Sequence, residues 1–150
     1  MAIHCESEIE VARPRGEVFD YLAHAERLPE YIPDFDSVEQ AGPGEPGRGT
    51  EYRYRMKRGR SEGTFEWTEF QAPDRLAWHG PPAKSGPGSI EPSGFWQLSD
   101  SGAGTRVKLV MTPEPGGLFK LMAPLMGMGM RKGNRQALER LKSRLERAGA

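Results

Sequence analysis

Little in the sequence points to an oxidising compartment or to a membrane. Cys5 is the only cysteine, so no disulfide can form within the chain. The first residues lack the basic start and apolar segment of a signal peptide. The longest nearly apolar run, Leu121–Met130, has ten residues, whereas a membrane-spanning helix needs about 20. We therefore expect a cytoplasmic protein with no integral membrane association.

An excess of charge of either sign is also absent. Lysine and arginine together number 21, and so do aspartate and glutamate. A balanced chain has no overall field that would attract nucleic acid or an acidic substrate. We therefore expect no nucleic-acid partner.

Signatures of catalysis, metal binding and nucleotide binding are lacking as well. The three histidines and the cysteine show no ligand spacing, and G-x-S-x-G, H-E-x-x-H and P-loop motifs do not occur. Residues 42–47 match G-x-G-x-x-G but contain two prolines and run into a strand, where a dinucleotide site needs a helix N-terminus. We expect no metal or cofactor and name no catalytic residue. His24 and His79 would act as general bases only if they reached a pocket.

The sequence instead contains short alternating segments followed by one long helical pattern. Two short helices are predicted at about 15–24 and 25–31, and a long one at about 118–147, kinked near Pro124 to Gly129. Strands are predicted at 3–11, 37–41, 51–57, 62–71, 75–79, 95–100 and 105–112. Because the strands are grouped and the helices segregated, the expected fold class is α+β. A curved antiparallel sheet would leave a hollow beneath the long helix.

Two segments allow more than one interpretation. Residues 80–94 show no periodic pattern, and a loop of this length is typically functional or disordered. Residues 122–130, the methionine segment, contain four of the seven methionines and precede a leucine stripe. Gly127, Gly129 and Gly133 each cost about 1 kcal/mol in a helix relative to alanine. They either make room for a ligand or let the helix flex as a gate, or else the segment is a loop and the helix starts near Arg131.

Several stretches resemble a known family. Residues 12–22 and 26–31 are similar to the START-like, helix-grip superfamily, and most of all to its polyketide cyclase/dehydrase branch. Residues 47–52, 68–78 and 104–107 resemble strand segments of that branch. The resemblance covers residues 1–150 as a single START-like domain. It implies a deep apolar cavity under the C-terminal helix for a lipid, polyketide, sterol-like or aromatic molecule, in proteins that include cyclases, carriers and sensors.

The candidate ligand-binding residues are aromatic, methionine and amide side chains on the strands and the long helix. Tyr52 and Tyr54 are one period apart on a strand, so both should point toward the helix. Methionine suits a surface that adapts to varied apolar ligands, although both residue types also fill ordinary cores. The full set is Tyr52, Tyr54, Met56, Trp67, Trp78, Trp96, Met111, Met122, Met126, Met130 and Asn134.

Three functions follow as hypotheses, and a small hydrophobic partner is the first expectation. A carrier or sensor predicts an almost purely apolar pocket, whereas a cyclase or dehydrase enzyme predicts a polar constellation such as Tyr52 or Tyr54 with Asn134. A protein-interaction module acting through the basic C-terminal helix face predicts salt-sensitive binding and a collapsed cavity; a homodimer is left open. The basic residues are Arg53, Arg55, Lys57, Arg58 and Arg60 in the hairpin, and Arg131, Lys132, Arg135, Arg140, Lys142, Arg144 and Arg147 in the helix. Such a charged stripe is most often only the solvated face; otherwise it is a docking surface for an acidic partner, such as an acyl carrier protein, or for an anionic membrane.

Overall fold

A computed structural model describes residues 3–57 and 61–148 of the chain. Arg58 and Arg60 of the predicted hairpin tip lie outside the described residues. In chain order the elements are β1 (Cys5–Val11), α1 (Arg15–Ala23), a 3-10 turn (Ala25–Arg27), α2 (Leu28–Tyr31), β2 (Phe35–Gln40), β3 (Glu51–Met56), β4 (Glu62–Gln71), β5 (Arg75–His79), β6 (Ala83–Ser85), β7 (Gly88–Glu91), β8 (Ser93–Ser101), β9 (Gly104–Met111), β10 (Glu114–Gly117) and α3 (Phe119–Ala148).

The strands form a large antiparallel sheet in the order β1-β9-β8-β5-β4-β3-β2 and a small one in the order β10-β7-β6. Alternation along the strands places one face of the large sheet on the core. In β3, for example, Tyr52 is fully buried while Arg53 and Arg55 on either side of Tyr54 are exposed. The large sheet curls around α3, and the two short helices follow β1. The expected α+β helix-grip architecture is confirmed.

The second half of α3 anchors the helix to the sheet. Leu138, Leu141 and Leu145 recur at helical spacing and are buried in the main core, and α3 packs on β1, α2 and β10. The first half is less covered, since Met126 and Met130 are only partly buried. The methionine segment is helical throughout, with Pro124 inside the helix. The sequence left open whether the methionine segment is helical or a loop that ends near Arg131, and the structure shows a helix.

The expectation that residues 80–94 lack regular structure is wrong. They contain β6 and β7, which pair as a hairpin, and β8 begins at Ser93. The strand β10, which includes Gly116 and Gly117, pairs with β7. Strands of three and four residues are too short to show a period of two, and the pairing of β7 with β10 joins segments distant in sequence. Both reasons hide this small sheet from pattern analysis.

A helix that spans a membrane needs about 20 predominantly apolar residues. None of the helices in residues 3–57 and 61–148 is long and apolar enough to cross a membrane.

Candidate ligand-binding cavity

A cavity of about 590 Å³ lies between the large sheet, the β6–β7 hairpin and the first half of α3. Its volume falls within the range typical of small-molecule sites. The sheet contributes Tyr54, Met56, Phe65, Trp67, Trp78, Trp96, Leu109 and Met111, and α3 contributes Phe119, Met122, Met126 and Met130. The hairpin and its flanks add Ala83, Ser85, Ile90, Pro92 and Ser93, and the short helices add Leu22, Ala25, Leu28, Tyr31 and Ile32.

All three tryptophans of the chain line this cavity. The Trp67 indole Nε1 donates a hydrogen bond of 3.2 Å to the carbonyl oxygen of Ala23, which fixes its ring. Trp78 and Trp96 lie on adjacent strands with ring centroids 6.5 Å apart. The tryptophans thus form an aromatic surface anchored at Trp67, while the methionines that α3 contributes belong to a flexible residue type. This combination suits flat or chain-like apolar molecules.

Three glycines leave space for aromatic rings that line the cavity. A Cβ at Gly63 would lie 2.5 Å from Oη of Tyr54, and one at Gly88 would lie 2.5 Å from Cγ of Phe119. A Cβ at Gly94 would lie 2.5 Å from Cζ2 of Trp78. Gly63 and Gly94 are the cross-strand partners of Tyr54 and Trp78. Because glycine has no side chain, each ring can lie over its backbone.

Polar groups at the cavity are few. Tyr31 is fully buried and its hydroxyl has no hydrogen-bond partner within the described structure; burial raises its pKa far above the usual value. Burial also raises the pKa of Tyr54. The remaining polar lining residues are Asp34, Ser61, Ser85 and Ser93.

Tyr21 and Glu30 form a hydrogen bond next to Tyr31. The Tyr21 ring is 5.8 Å from the Tyr31 ring, centroid to centroid, and its hydroxyl donates to Oε1 of Glu30 at 2.6 Å. Burial, followed by this bond, raises the pKa of Tyr21 to about 12. Arg144 of α3 lies 3.7 Å from the same Glu30 oxygen. The hydroxyl of Tyr21 is therefore satisfied, in contrast to that of Tyr31.

The sequence matches, over residues 2–146, the family described as polyketide cyclase / dehydrase and lipid transport. The chain belongs to this family. Membership implies that the protein binds a hydrophobic ligand, without specifying which one.

Solved structures share the fold. A Thermus thermophilus protein matches with a TM-score of 0.80 and 22% identity, covering 98% of this chain and 99% of that one. The Zhui aromatase/cyclase of a Streptomyces species matches with a TM-score of 0.81 and 15% identity, covering 100% and 97%. A START superfamily protein of Mycobacterium smegmatis matches with 0.75 and 12% identity, covering 97% and 98%. These likenesses show the fold alone. No curated protein matches the sequence.

The structure brings nine of the eleven candidate residues of this family member to the cavity wall: Tyr54, Met56, Trp67, Trp78, Trp96, Met111, Met122, Met126 and Met130. Tyr52 and Asn134 are not among the described residues that line it. The Tyr52 hydroxyl instead donates to the carbonyl oxygen of Ala23 at 3.1 Å, satisfying an acceptor at the end of α1. Asn134 is buried beyond Met130, and its Nδ2 has no partner within the described structure.

Several lining residues were missed by the sequence analysis. Leu28 and Tyr31 have helical spacing on α2, with Ile32 directly after it, and Phe65 alternates with Trp67 on β4, so both patterns were detectable. Ala83 and Ile90 belong to the hairpin that no pattern predicted.

The two histidines considered as general bases lie elsewhere. The His24 ring is 2.8 Å from the carbonyl oxygen of Asp20, and that of His79 is 2.8 Å from Oε2 of Glu91. Neither lines the cavity. Within residues 3–57 and 61–148, no group of three or more acidic, cysteine or histidine residues could hold a metal ion.

Proposed function

We propose that this protein binds one small apolar molecule in the cavity and acts as a carrier or sensor. The observation that carries the proposal is the composition of the wall, where aromatic rings and methionines line one cavity of about 590 Å³. Burial of apolar surface contributes about 25 cal/mol per Å², so such a wall binds by excluding water. A lipid, a polyketide or a fused-ring aromatic compound fits this chemistry.

One polar group would orient the ligand. The Tyr31 hydroxyl is buried without a partner and has no accessible surface in the empty cavity, so a carbonyl or hydroxyl oxygen on the ligand would satisfy it once the Tyr31 ring turns toward the cavity. A buried polar group without a partner costs about 1–3 kcal/mol. We therefore favour apolar ligands that carry an oxygen at one end over pure hydrocarbons.

The two alternative functions have less support. The enzyme hypothesis predicts a polar constellation such as Tyr52 or Tyr54 with Asn134, and of these three residues Tyr54 alone lines the cavity. An interaction module predicts a collapsed cavity, whereas this one is open. Several of its basic residues are also held in ion pairs, such as Lys142 with Glu146 and Arg55 with Glu62. If the purified protein turned over a polyketide substrate, the enzyme hypothesis would be favoured instead.

Intrinsic fluorescence provides the experiment, since all three tryptophans line the cavity. A fatty acid, a sterol and an oxygenated polycyclic aromatic compound are titrated separately into the protein. At least one should change the tryptophan emission in a saturable way. Calorimetry of the same titration should show the negative heat-capacity change that marks apolar burial.

A matched pair of variants locates the binding. Ala83 is buried at the cavity wall, whereas Ala103 is exposed in the turn between β8 and β9. Ala83→Phe should weaken binding at least tenfold, and Ala103→Phe should leave it unchanged. If no compound binds, or if Ala83→Phe binds as tightly as the unaltered protein, the proposal is wrong.

A further inference from the structure

The first half of α3 carries apolar side chains on the side that faces away from the cavity. Leu121 is 81% exposed, Leu125 69% and Met128 66%, and Leu118 just before the helix is 49% exposed. Their spacing of three, four and three residues places them in one row along the helix. We call this row the outer stripe. Large exposed apolar side chains that form a contiguous patch typically mark an interaction site.

The outer stripe lies in a segment without negative charge. No aspartate or glutamate occurs between Glu114 and Glu139, and the segment contains Lys120, Arg131 and Lys132, all exposed. Lys132 continues the outer stripe four residues after Met128. Arg135 lies further along, beside a groove that it shares with Glu6, Glu8 and Glu139. The basic set relevant to the stripe is therefore Lys120, Arg131 and Lys132.

We propose that the outer stripe docks on the surface of an anionic lipid bilayer. The helix would lie in the plane of the interface, with its leucines and Met128 inserted at the boundary between headgroups and acyl chains. The three cations would contact lipid phosphates and carboxylates. Helices with exposed apolar residues and flanking lysine or arginine bind membranes in this way, and each basic residue near an anionic surface adds to the attraction.

A second copy of the chain fits the stripe less well. A two-fold interface presents the same patch from both subunits, so the basic sets would face each other across it. The stripe also offers four apolar side chains from half a helix, whereas a stable interface takes about 20–30 residues a side. An anionic bilayer satisfies both the apolar row and the cations.

This docking does not depend on the proposed ligand function, although the two would cooperate. Met122 and Met126 lie on the same turns of α3 and line the cavity. When α3 is docked, the helix that forms one wall of the cavity would therefore lie against the acyl chains.

Vesicle cosedimentation tests the proposal with the whole chain. The protein should bind vesicles of phosphatidylcholine and phosphatidylserine, bind vesicles of phosphatidylcholine alone at least tenfold more weakly, and dissociate from the mixed vesicles as salt is raised. The double variant L121S/L125S should lose at least tenfold in affinity, as should R131E/K132E. The charge-matched control R140E/R147E, at exposed positions nearer the end of α3, should bind like the unaltered protein.

Two further measurements keep the result decisive. L121S/L125S should keep the thermal midpoint and the tryptophan response to ligand, because both leucines are exposed. Absence of binding to anionic vesicles would overturn the proposal, and so would binding that L121S/L125S leaves intact. A self-association that this variant abolishes, without vesicle binding, would assign the stripe to a second copy instead. Capture of an acidic protein without vesicle binding would overturn it equally.

Discussion

The Tyr54 ring lies over the backbone of Gly63, its partner on the neighbouring strand, where a Cβ would approach Oη of Tyr54 to 2.5 Å. The space above this glycine therefore decides where one ring of the cavity wall can lie. The group that would clash is the end of a side chain rather than backbone, so the ring can move.

Gly63→Ala should consequently alter the cavity more than the fold. We expect the Tyr54 ring to swing toward the cavity and ligand affinity to fall at least tenfold. The free energy of unfolding should fall by about 1–2 kcal/mol, as for other overpacked sites. Denaturant unfolding and ligand titration measure the two effects. The double variant G63A/Y54A removes the clash, so it should regain part of the affinity; no gain would place the effect elsewhere.

Gly129 lies within the helical methionine segment. It is exposed, and a Cβ there would contact nothing, so this glycine does not make room under the helix. Gly129→Ala should stabilise the protein by about 0.4–1 kcal/mol. If α3 opens to admit ligand, the same change should slow ligand dissociation. Stopped-flow fluorescence gives that rate, and a stabilised variant with an unchanged rate would show that ligand does not pass through this segment.

Substitution by phenylalanine should have opposite effects on stability at Tyr31 and at Tyr52. Tyr31→Phe removes a buried hydroxyl that has no partner, so the ligand-free protein should gain about 1 kcal/mol of stability. Tyr52→Phe removes the bond to Ala23 and should cost about the same amount. Tyr31→Phe should also weaken oxygenated ligands more than their deoxygenated analogues. Loss of stability in Tyr31→Phe would contradict this assignment.

The tyrosines predict a loss of stability at alkaline pH. Burial raises the pKa of all four, Tyr21 to about 12, whereas tyrosines of the unfolded chain ionise near pH 10. The folded state thus holds these protons more tightly, and this contribution is complete below about pH 10 and lost as the pH rises through the folded values. Phenolate absorbance should stay low past pH 10 and rise together with the loss of circular dichroism. Ionisation near pH 10 in a folded protein would be inconsistent with these shifts.

The architecture could be predicted because its elements are long and periodic. The strands β4 and β5 occupy the expected 62–71 and 75–79, and the leucines of α3 define its buried face. The small sheet could not be predicted, because its strands have three or four residues and one of its pairings joins segments that are distant in sequence. Neighbouring glycines and prolines also make the segment resemble a loop.

Only part of the cavity wall could be predicted from the sequence. Alternation shows that Tyr52 and Tyr54 share a face of β3, but it does not show how far the cavity extends along that face. Tyr52 lies against the end of α1, where its hydroxyl bonds Ala23, whereas Tyr54 lines the cavity. The orientation of Asn134 likewise depends on packing that no local pattern records.

Native mass spectrometry of the freshly purified protein, compared with two methionine variants, tests the central claim most directly. Met126 lines the cavity, while Met128, two residues further along α3, is 66% exposed. We predict one apolar adduct per chain, either retained from expression or acquired from the ligand panel, that is kept by Met128→Trp and lost by Met126→Trp. A protein that never takes up an adduct, or a Met126→Trp variant that retains it fully, would contradict the assignment of this cavity as the ligand site.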